Sequence, residues 1–325
     1  MSSLTGSAAR HETLRELAWR QEWVASRRQL AALGVNDDAI AAHLAAGRWQ
    51  TVHPGVFLLS NAPATRLAAL WAAVLWAGDG AVLGFRSAAE VLGMAPLGDP
   101  GDLVVVVVPW ERQSISRRGI RVRRRRHLHR QISEGWPPTT SVEITTLDLA
   151  SEAQTVRDAV GWVTRAYQKR LTSPARLALA LHGRVRIRRR QLLKALVTTI
   201  DATTESPLEH EYVVAVECAH GLPRARRQVK DRAGTRDIRR DFDYEDYDTV
   251  VEVDGRLGHE DAWDQFRDLD RDNATTVDGS AHLRFGFADV FGRPCAVSAQ
   301  VGQVLKRNGW TGDPRPCGPN CRVLG

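Results

Sequence analysis

Val250-Val251-Glu252-Val253-Asp254-Gly255 is the stretch of sequence that decides the fold of the C-terminal third of this chain. Its β-branched valines favour a strand, and residues two apart in a strand project to the same face, so Glu252 and Asp254 share one side. Burying two carboxylates in an otherwise apolar strand is costly unless they have partners. We therefore expect both carboxylates to be functional groups.

A second acidic strand precedes this one. Residues 237–244 also have strand character, and a hairpin would bring Asp241 beside the Glu252 strand. Clustered carboxylates repel one another unless a cation is present, which predicts Mg²⁺ or Mn²⁺ held by Asp241, Glu252 and Asp254. His259 follows closely enough to act as a general acid or base near neutral pH. The remaining acidic residues fit a solvated hairpin better: Asp243, Glu245, Asp246 and Asp248.

Helices are expected on both sides of this hairpin. Ser206-Pro207-Leu208-Glu209 combines an N-cap residue, a proline at N1 and a glutamate at N3, so a helix is predicted from there to about His220. The later pattern predicts a helix over 260–277, a strand at Leu283-Arg284-Phe285 and a closing helix over 294–307. Glu209 fits either a capping residue or a catalytic acid, and the sequence leaves both roles open.

Length and charge indicate several domains and a polyanionic partner. At 325 residues the chain exceeds the usual size of one domain. Residues 1–200 contain 28 Lys and Arg against 15 Asp and Glu, whereas residues 201–325 contain 17 against 23. A basic part that contacts phosphates and an acidic part that binds cations would explain this asymmetry, and so would two solvated surfaces of opposite charge.

The sequence predicts no association with a membrane. Hydrophobic residues make up 43% and charged residues 26%, as in ordinary globular proteins. No stretch approaches the ~20 apolar residues that a membrane span needs. His11, Glu12, Arg15 and Glu16 interrupt any apolar run near the start, so a secretory signal is not expected either. We therefore expect a cytoplasmic protein.

Residues 1–60 have the pattern of a winged helix-turn-helix. Capping residues near Thr13, Ser26 and Asn36, with glycines after the second and third segments, predict three short helices. Two strands around His53-Pro54-Gly55 follow them. The candidate DNA contacts of this part are Arg27, Arg28 and Arg48. A purely structural or protein-binding role is the alternative.

The middle module, residues 61–195, is expected to be mixed α/β. The run of valines within 102–108 predicts a strand buried on both faces, and residues 141–181 are expected to be mostly helical. Between them, residues 117–130 contain ten Arg and His. The candidate phosphate contacts in this run are Arg121, Arg123, Arg124 and Arg125. A solvated strand edge is the alternative interpretation.

All four cysteines lie in the C-terminal part, at Cys218, Cys295, Cys317 and Cys321. The last two occur in Cys317-Gly318-Pro319-Asn320-Cys321, which resembles half of a Zn²⁺ site. A full site would need Cys295 and either Cys218 or a histidine. A disulfide is not expected in a reducing cytoplasm, and ordinary thiols near the chain end are the alternative.

Several motifs occur in order along residues 206–291. They are Ser206-Pro207-Leu208-Glu209, Asp241-Phe242, Val251-Glu252-Val253-Asp254-Gly255, His259, Arg267-Asp268, Arg271-Asp272-Asn273 and Leu283-Arg284-Phe285. Together they resemble the uncharacterised family related to very-short-patch-repair (Vsr) endonucleases, within the restriction-endonuclease-like PD-(D/E)xK fold. The resemblance implies that Asp241 and Glu252 hold the metal, that Asp254 replaces the usual lysine and that Glu209 is the helix acid.

In the very-short-patch enzymes a histidine serves where the lysine is absent, so the resemblance assigns that role here to His259. The candidate DNA contacts in this part are Arg271 and Arg284. Asp268 lies one helical turn before Arg271, and an ion pair between these two side chains is the alternative.

Three motifs near the start of the chain point to a second resemblance. They are Leu30-Ala31-Ala32-Leu33-Gly34, Gly47-Arg48-Trp49 and His53-Pro54-Gly55-Val56-Phe57. They resemble the winged-helix antitoxin domain of the type IV toxin–antitoxin AbiEi family. This resemblance implies DNA, a cognate toxin or a second copy of the chain as partners.

The sequence thus predicts a multidomain α/β (α+β) protein. A winged helix-turn-helix over 1–60 and a linking module over 61–195 precede a restriction-endonuclease-like domain over 196–325. The expected function is that of a Mg²⁺-dependent endodeoxyribonuclease in DNA repair or in defence against foreign DNA. The alternative is a non-catalytic DNA-binding antitoxin or transcriptional regulator with a degenerate nuclease fold. An RNA-directed toxin is a third interpretation.

Overall fold

The computed structural model divides into two compact units, Met1–Asp148 and Leu149–Gly325. The structure describes residues 13–112, 116–133, 135–201, 207–233, 236–254 and 281–323. The boundary after Asp148 differs from the sequence-based division at residues 60 and 195, which stays a prediction.

The first part of unit 1 combines short helices with a small antiparallel sheet. Its elements are α1 (13–20), β1 (Val24–Ser26), α2 (Arg27–Ala32), α3 (Asp37–Ala45), β2 (Gln50–His53) and β3 (Val56–Leu58). Ser26 and Gln29 form a capping box at the start of α2, and Asn36 caps α3. The sheet order is β1-β3-β2. One apolar cluster joins the helices to the sheet: Ala25, Leu30, Ile40, Trp49 and Phe57.

The rest of unit 1 is built on a five-stranded sheet. Its elements are α4 (Arg66–Ala77), β4 (Val82–Leu83), α5 (Phe85–Val91), β5 (Val104–Pro109), β6 (Ile120–Arg125), β7 (Ile132–Ser133) and β8 (Thr139–Thr140). The strand order is β6-β5-β4-β8-β7, with β5 parallel to β6 and antiparallel to β4. Every valine of β5 is buried, which confirms the strand covered on both faces.

A buried ion pair connects helices α4 and α5. Arg66, at the start of α4, donates from Nε and Nη2 to the carboxylate of Glu90 on α5, at 2.8 and 3.2 Å. Arg66 Nη1 also donates to the carbonyl oxygen of Asp102 at 2.8 Å, just before β5. The two charged side chains are only 4% and 3% exposed. This pair therefore joins both helices to the beginning of β5.

Unit 2 is largely helical in its first part. The helices are α6 (Val142–Glu152), which begins before the unit boundary, α7 (Val156–Gln168), α8 (Pro174–His182) and α9 (Arg190–Asp201). Thr155 and Asp158 form a capping box on α7, and Ser173 caps α8 with Pro174 at its first position. The predicted helical character of residues 141–181 is therefore confirmed.

The C-terminal part contains a four-stranded mixed sheet. Its strands are β9 (Arg226–Ala233), β10 (Arg236–Tyr244), β11 (Thr249–Asp254) and β12 (Ala281–Gly286), in the order β12-β11-β10-β9. Strands β9, β10 and β11 are antiparallel neighbours, whereas β12 runs parallel to β11. The helices are α10 (Pro207–Glu211), which continues as a π-helix (Tyr212–Cys218), α11 (Phe287–Gly292) and α12 (Pro294–Arg307).

Aromatic side chains join the π-helix to the sheet. The Tyr212 ring lies 4.4 Å from the Phe242 ring, between centroids, and its hydroxyl is 3.1 Å from the hydroxyl of Tyr244. The Tyr244 hydroxyl donates to Glu217 at 3.5 Å, and burial raises the pKa of Glu217 above its usual range. These contacts cover one face of β10 and leave the opposite face for its acidic side chains.

In its described residues the structure is a mixed α/β protein with three sheets, in agreement with the expected fold class. The hairpin of β10 and β11, the strand β12 and the closing helix α12 lie where the sequence predicts them. The additions to that prediction include the π-helix, helices α9 and α11, and strands β1, β4, β7, β8 and β9. Across the described residues, no helix has the length and apolar character required to cross a bilayer.

Candidate functional site

The predicted carboxylates lie on one face of the four-stranded sheet. Val251 and Val253 of β11 are buried, whereas Glu252 and Asp254 point to the other face and are partly exposed. In the parallel register, Glu252 lies beside Arg284 of β12. The strand thus packs one side into the core and presents both carboxylates on the other, as its sequence predicts.

Glu252 is held by two basic side chains of β12. Its Oε2 accepts from Arg284 at 2.9 and 3.2 Å, and its Oε1 lies 3.1 Å from His282 Nε2. Burial raises the pKa of Glu252, but the hydrogen bond from Arg284 and the charges of His282 and Arg284 outweigh it, so the pKa lies below its usual range. Glu252 is therefore ionised at neutral pH.

Asp241 reaches the same strand from β10. The pairing of β10 with β11 runs from Tyr244↔Thr249 to Phe242↔Val251. At the next step, the Asp241 carboxylate accepts a hydrogen bond from the backbone N–H of Val253 at 3.0 Å. The Asp241 side chain, and not a backbone carbonyl, thus accepts the hydrogen bond of Val253, the residue between Glu252 and Asp254. The structure therefore brings Asp241 to the pair of carboxylates on β11.

Glu209 is connected to the sheet through Gln228. Gln228 Nε2 donates to the Glu209 carboxylate, which links α10 to β9. The register of β9 with β10 pairs Val229 with Arg240 and Arg227 with Phe242, which leaves Gln228 opposite Asp241. Gln228 also has a left-handed φ of 52°, a conformation that is uncommon outside glycine and often found at functional sites.

Two of the predicted site residues, His259 and Arg271, lie outside the described residues. Sequence reasoning missed Gln228 and His282, which contact Glu209 and Glu252. Neither residue belongs to a motif, and only the strand registers reveal their positions.

The predicted DNA contacts of the first part have partners within the protein. The pairs are Arg27 with Asp37, Arg28 with Asp79, and Arg48 with His43. The first two are exposed ion pairs, which contribute little stability and exchange readily with other anions. Their role in binding DNA stays a prediction.

The arginine-rich strand β6 has a more distinctive arrangement. Arg121, Arg123 and Arg124 are exposed, whereas Arg125 is half-buried and pairs with Asp148 at 2.6 Å. The guanidinium of Arg124 lies 4.6 Å from the centre of the Trp110 ring, and that of Arg126 lies 5.1 Å from it. Trp110 itself is 43% exposed. The exposed arginines of β6 therefore lie beside an accessible aromatic ring, Trp110, which follows β5.

A second cluster lies near the end of the chain. His220 follows the π-helix, Cys295 lies near the start of α12, and Cys317 and Cys321 lie in the segment after α12. Their candidate ligand atoms are all within 4.8 Å of one another, and these four side chains could hold a metal ion. Within the described part of the chain, Asp241, Glu252 and Asp254 form no such group of three.

The two cysteines of the final segment differ in acidity. Hydrogen bonding with Cys321 and Cys295 raises the pKa of Cys317 to about 11. Burial acts to raise the pKa of Cys321, but hydrogen bonds with the backbone of Cys317 and Val323 outweigh it and lower that pKa to about 6. Cys321 is therefore the more acidic thiol of this pair.

No protein-family model matches this chain, and no curated protein matches it.

Proposed function

We propose that this chain is a metal-dependent endonuclease that hydrolyses phosphodiester bonds in DNA. The observation that supports this proposal most directly is the contact of the Asp241 carboxylate with the Val253 N–H, between Glu252 and Asp254. It brings an acidic residue of β10 to the acidic face of β11. Three carboxylates on two adjacent strands would supply oxygen ligands of the kind that Mg²⁺ prefers in proteins.

The carboxylate side chains of this face have the ligand chemistry that Mg²⁺ or Mn²⁺ requires. Glu252 is ionised at neutral pH, and carboxylate oxygens are the usual protein ligands of Mg²⁺ and Mn²⁺. Asp241 and Glu252 would hold the ion, with Asp254 as a further ligand. A bound divalent ion would lower the pKa of a coordinated water and stabilise negative charge at the phosphate.

The surrounding residues would orient these carboxylates. Arg284 and His282 fix both oxygens of Glu252, and the Val253 N–H fixes Asp241. Gln228 holds the Glu209 carboxylate by a hydrogen bond. Residues held by hydrogen bonds lose less conformational freedom when a substrate binds, which favours a site that is already organised for catalysis.

We propose that β6 contacts the DNA backbone. Exposed Arg121, Arg123 and Arg124 supply positive charge, and a guanidinium or an indole ring can also stack on a base. Electrostatic contacts of this kind bind phosphates without regard to sequence. The proposal for β6 can therefore be tested separately from cleavage.

The test is a nicking assay on supercoiled plasmid with Mg²⁺ or Mn²⁺. The full chain is compared with Glu252→Gln, which keeps the side-chain size and removes the charge, and with Asp246→Asn as a matched control. Asp246 is exposed in the turn between β10 and β11. We expect the wild-type chain and the control to nick DNA, and Glu252→Gln to lose that activity. Equal nicking by all three proteins, or none by the wild type on supercoiled, linear and mismatched DNA, would contradict the proposal.

The second candidate function is a non-catalytic DNA-binding regulator. The ion pair of Glu252 with Arg284, together with the contact between Glu252 and His282, favours it, because the arginine neutralises that carboxylate without a metal ion. In this case Glu252→Gln would leave both DNA affinity and biological effect unchanged. A Glu252→Gln protein that still binds DNA but no longer cuts it would decide in favour of the nuclease.

A further inference from the structure

We propose that His220, Cys295, Cys317 and Cys321 bind one Zn²⁺ ion that fastens the C-terminal segment to the helices of unit 2. The ligands come from three separate places: the end of the π-helix, the start of α12 and the segment after it. This site is separate from the carboxylates of β10 and β11, so its role does not depend on the proposed nuclease activity.

The distances within the cluster fit tetrahedral zinc. Zinc–sulfur and zinc–nitrogen bonds of about 2.3 and 2.0 Å place two sulfurs about 3.8 Å apart, and a sulfur and a nitrogen about 3.5 Å apart. Cys295 Sγ and Cys317 Sγ are 3.7 Å apart, and Cys321 Sγ lies 3.5 Å from His220 Nε2. One sulfur–sulfur distance and one sulfur–nitrogen distance therefore match those expected of a tetrahedral zinc site.

His220 is oriented as a ligand. Its side chain is completely buried, and its Nδ1 lies 3.2 Å from the carbonyl oxygen of Val216, one helical turn earlier. A hydrogen bond donated from Nδ1 to a carbonyl leaves the Nε2 lone pair available, and Nε2 is the atom that faces Cys321. Histidine ligands of zinc commonly donate their other nitrogen to a backbone carbonyl in this manner.

The C-terminal segment packs closely against the structure that supplies the other ligands. The Arg315 N–H donates to the carbonyl oxygen of His220 at 2.7 Å. A Cβ at Gly302 of α12 would lie 2.4 Å from Pro314, so only glycine allows this approach without a shift. Residues 310–323 form no helix or strand. A metal ion would supply the cross-link that this irregular segment otherwise lacks.

The turn between the last two ligands brings their sulfurs together. The Cys321 N–H donates to the carbonyl oxygen of Gly318 at 3.0 Å, which closes a tight turn over Cys317-Gly318-Pro319-Asn320-Cys321. Two cysteines presented by such a turn form half of many structural zinc sites. Cys295 and His220 complete the set of four.

The ligand types select the ion and its role. Three thiols and one imidazole favour zinc over magnesium or calcium, which prefer oxygen ligands. Four protein ligands fill a tetrahedron and leave no open position for water, so the site is structural and not catalytic. Binding replaces the thiol protons by the ion, and the released protons pass to the solvent.

The test is the metal content of the full chain, purified under reducing conditions and measured by inductively coupled plasma mass spectrometry. We expect one Zn²⁺ per wild-type chain, and one in Cys218→Ser, because Cys218 is an exposed cysteine outside the cluster. We expect Cys317→Ser and Cys321→Ser to lose most of it. Replacement by Co²⁺ should give the visible absorption bands of a tetrahedral cobalt–thiolate site in the wild type.

Three outcomes would overturn the proposal. The first is a wild-type chain without stoichiometric zinc and without the cobalt bands after reconstitution. The second is zinc that persists in both Cys317→Ser and Cys321→Ser. The third is an iron–sulfur chromophore, or a disulfide between Cys295 and Cys317 that forms in reduced protein on exposure to air while zinc is present. Limited proteolysis supplies a further readout, because chelation should expose residues 310–323 to cleavage only if the ion holds them.

The proposal of a nuclease and the proposal of a zinc site can be contradicted independently. Loss of zinc from Cys317→Ser with intact nicking would support a purely structural ion. Zinc in a chain that never nicks DNA would leave the metal proposal intact and contradict the nuclease alone.

Discussion

Removing Arg66 should destabilise the first unit strongly, because it leaves a buried carboxylate without its partner. In Arg66→Met the methionine fills much of the space of the arginine stem but provides no hydrogen-bond donors. Among the residues that the structure describes, Glu90 would keep only the Gly98 N–H at 3.3 Å and Arg86 at 3.9 Å. The carbonyl of Asp102 would lose the donor now 2.8 Å away.

The magnitude follows from the burial of both charges. The two side chains are 4% and 3% exposed, and breaking a buried pair by removing one partner costs about 3–5 kcal/mol. The double variant Arg66→Met/Glu90→Leu removes both charges together, so its loss should be much smaller than that of either single variant. A double-mutant cycle therefore separates the cost of an unpaired charge from the contribution of the pair.

The assay is urea unfolding followed by tryptophan fluorescence, with the four proteins of the cycle measured at the same pH. Arg28→Met is the matched control, because Arg28 pairs with Asp79 on the surface, where each side chain is more than 70% exposed. We expect a much smaller loss for this control than for Arg66→Met, because solvent screens an exposed ion pair. An Arg66→Met protein that lost no more than the control would refute the inference that Glu90 depends on Arg66.

The remaining predictions concern DNA binding and pH. Trp110→Ala should weaken DNA binding measured by fluorescence anisotropy, since Arg124 loses the ring it lies over; Arg124→Gln should also reduce the slope of log affinity against log salt by about 0.9. Unchanged affinity and slope would show that β6 does not contact DNA. Glu217 has a raised pKa in the folded chain. Its stabilising contribution is therefore complete below pH 4.5, the usual pKa of a glutamate, and is lost as the pH rises through the pKa of the folded state. Glu217→Gln should therefore flatten the fall in unfolding free energy above that pH, and an unchanged profile would refute this. The lowered pKa of Glu252 acts in the opposite direction, so its stabilising contribution is present above pH 4.5 and is lost on acidification. Arg284→Met should reduce that loss, which is measured as the free energy of unfolding at a series of acidic pH values.

Periodicity and capping predicted most of the elements. The valines of β5, the alternation in β11 and the capping residues Ser26 and Asn36 each determine local structure from a few neighbours, and all match the structure. Strand β1 has only three residues, too few to show a period. Its existence depends on pairing with β3, thirty residues later.

The sequence predicted the acidic residues of the site but not the side chains that contact them. Glu252 and Asp254 stand out because charged residues interrupt a valine strand. His282 and Gln228 become neighbours of the predicted carboxylates only through the order β12-β11-β10-β9, which depends on long-range pairing. His220 lies 101 positions from Cys321, so no local spacing could identify it as the fourth member of the cysteine cluster.

The position of β6 affects how its arginines can be studied. β6 is the terminal strand of the five-stranded sheet, and no further strand of the described chain pairs along its outer side. Strands in this position can recruit strands from other molecules and aggregate, and closely spaced positive charges prevent that by repulsion. Replacing the arginines by neutral residues would therefore remove phosphate contacts and promote self-association together. Lysine substitutions keep the charge that opposes self-association and remove only the planar guanidinium contact.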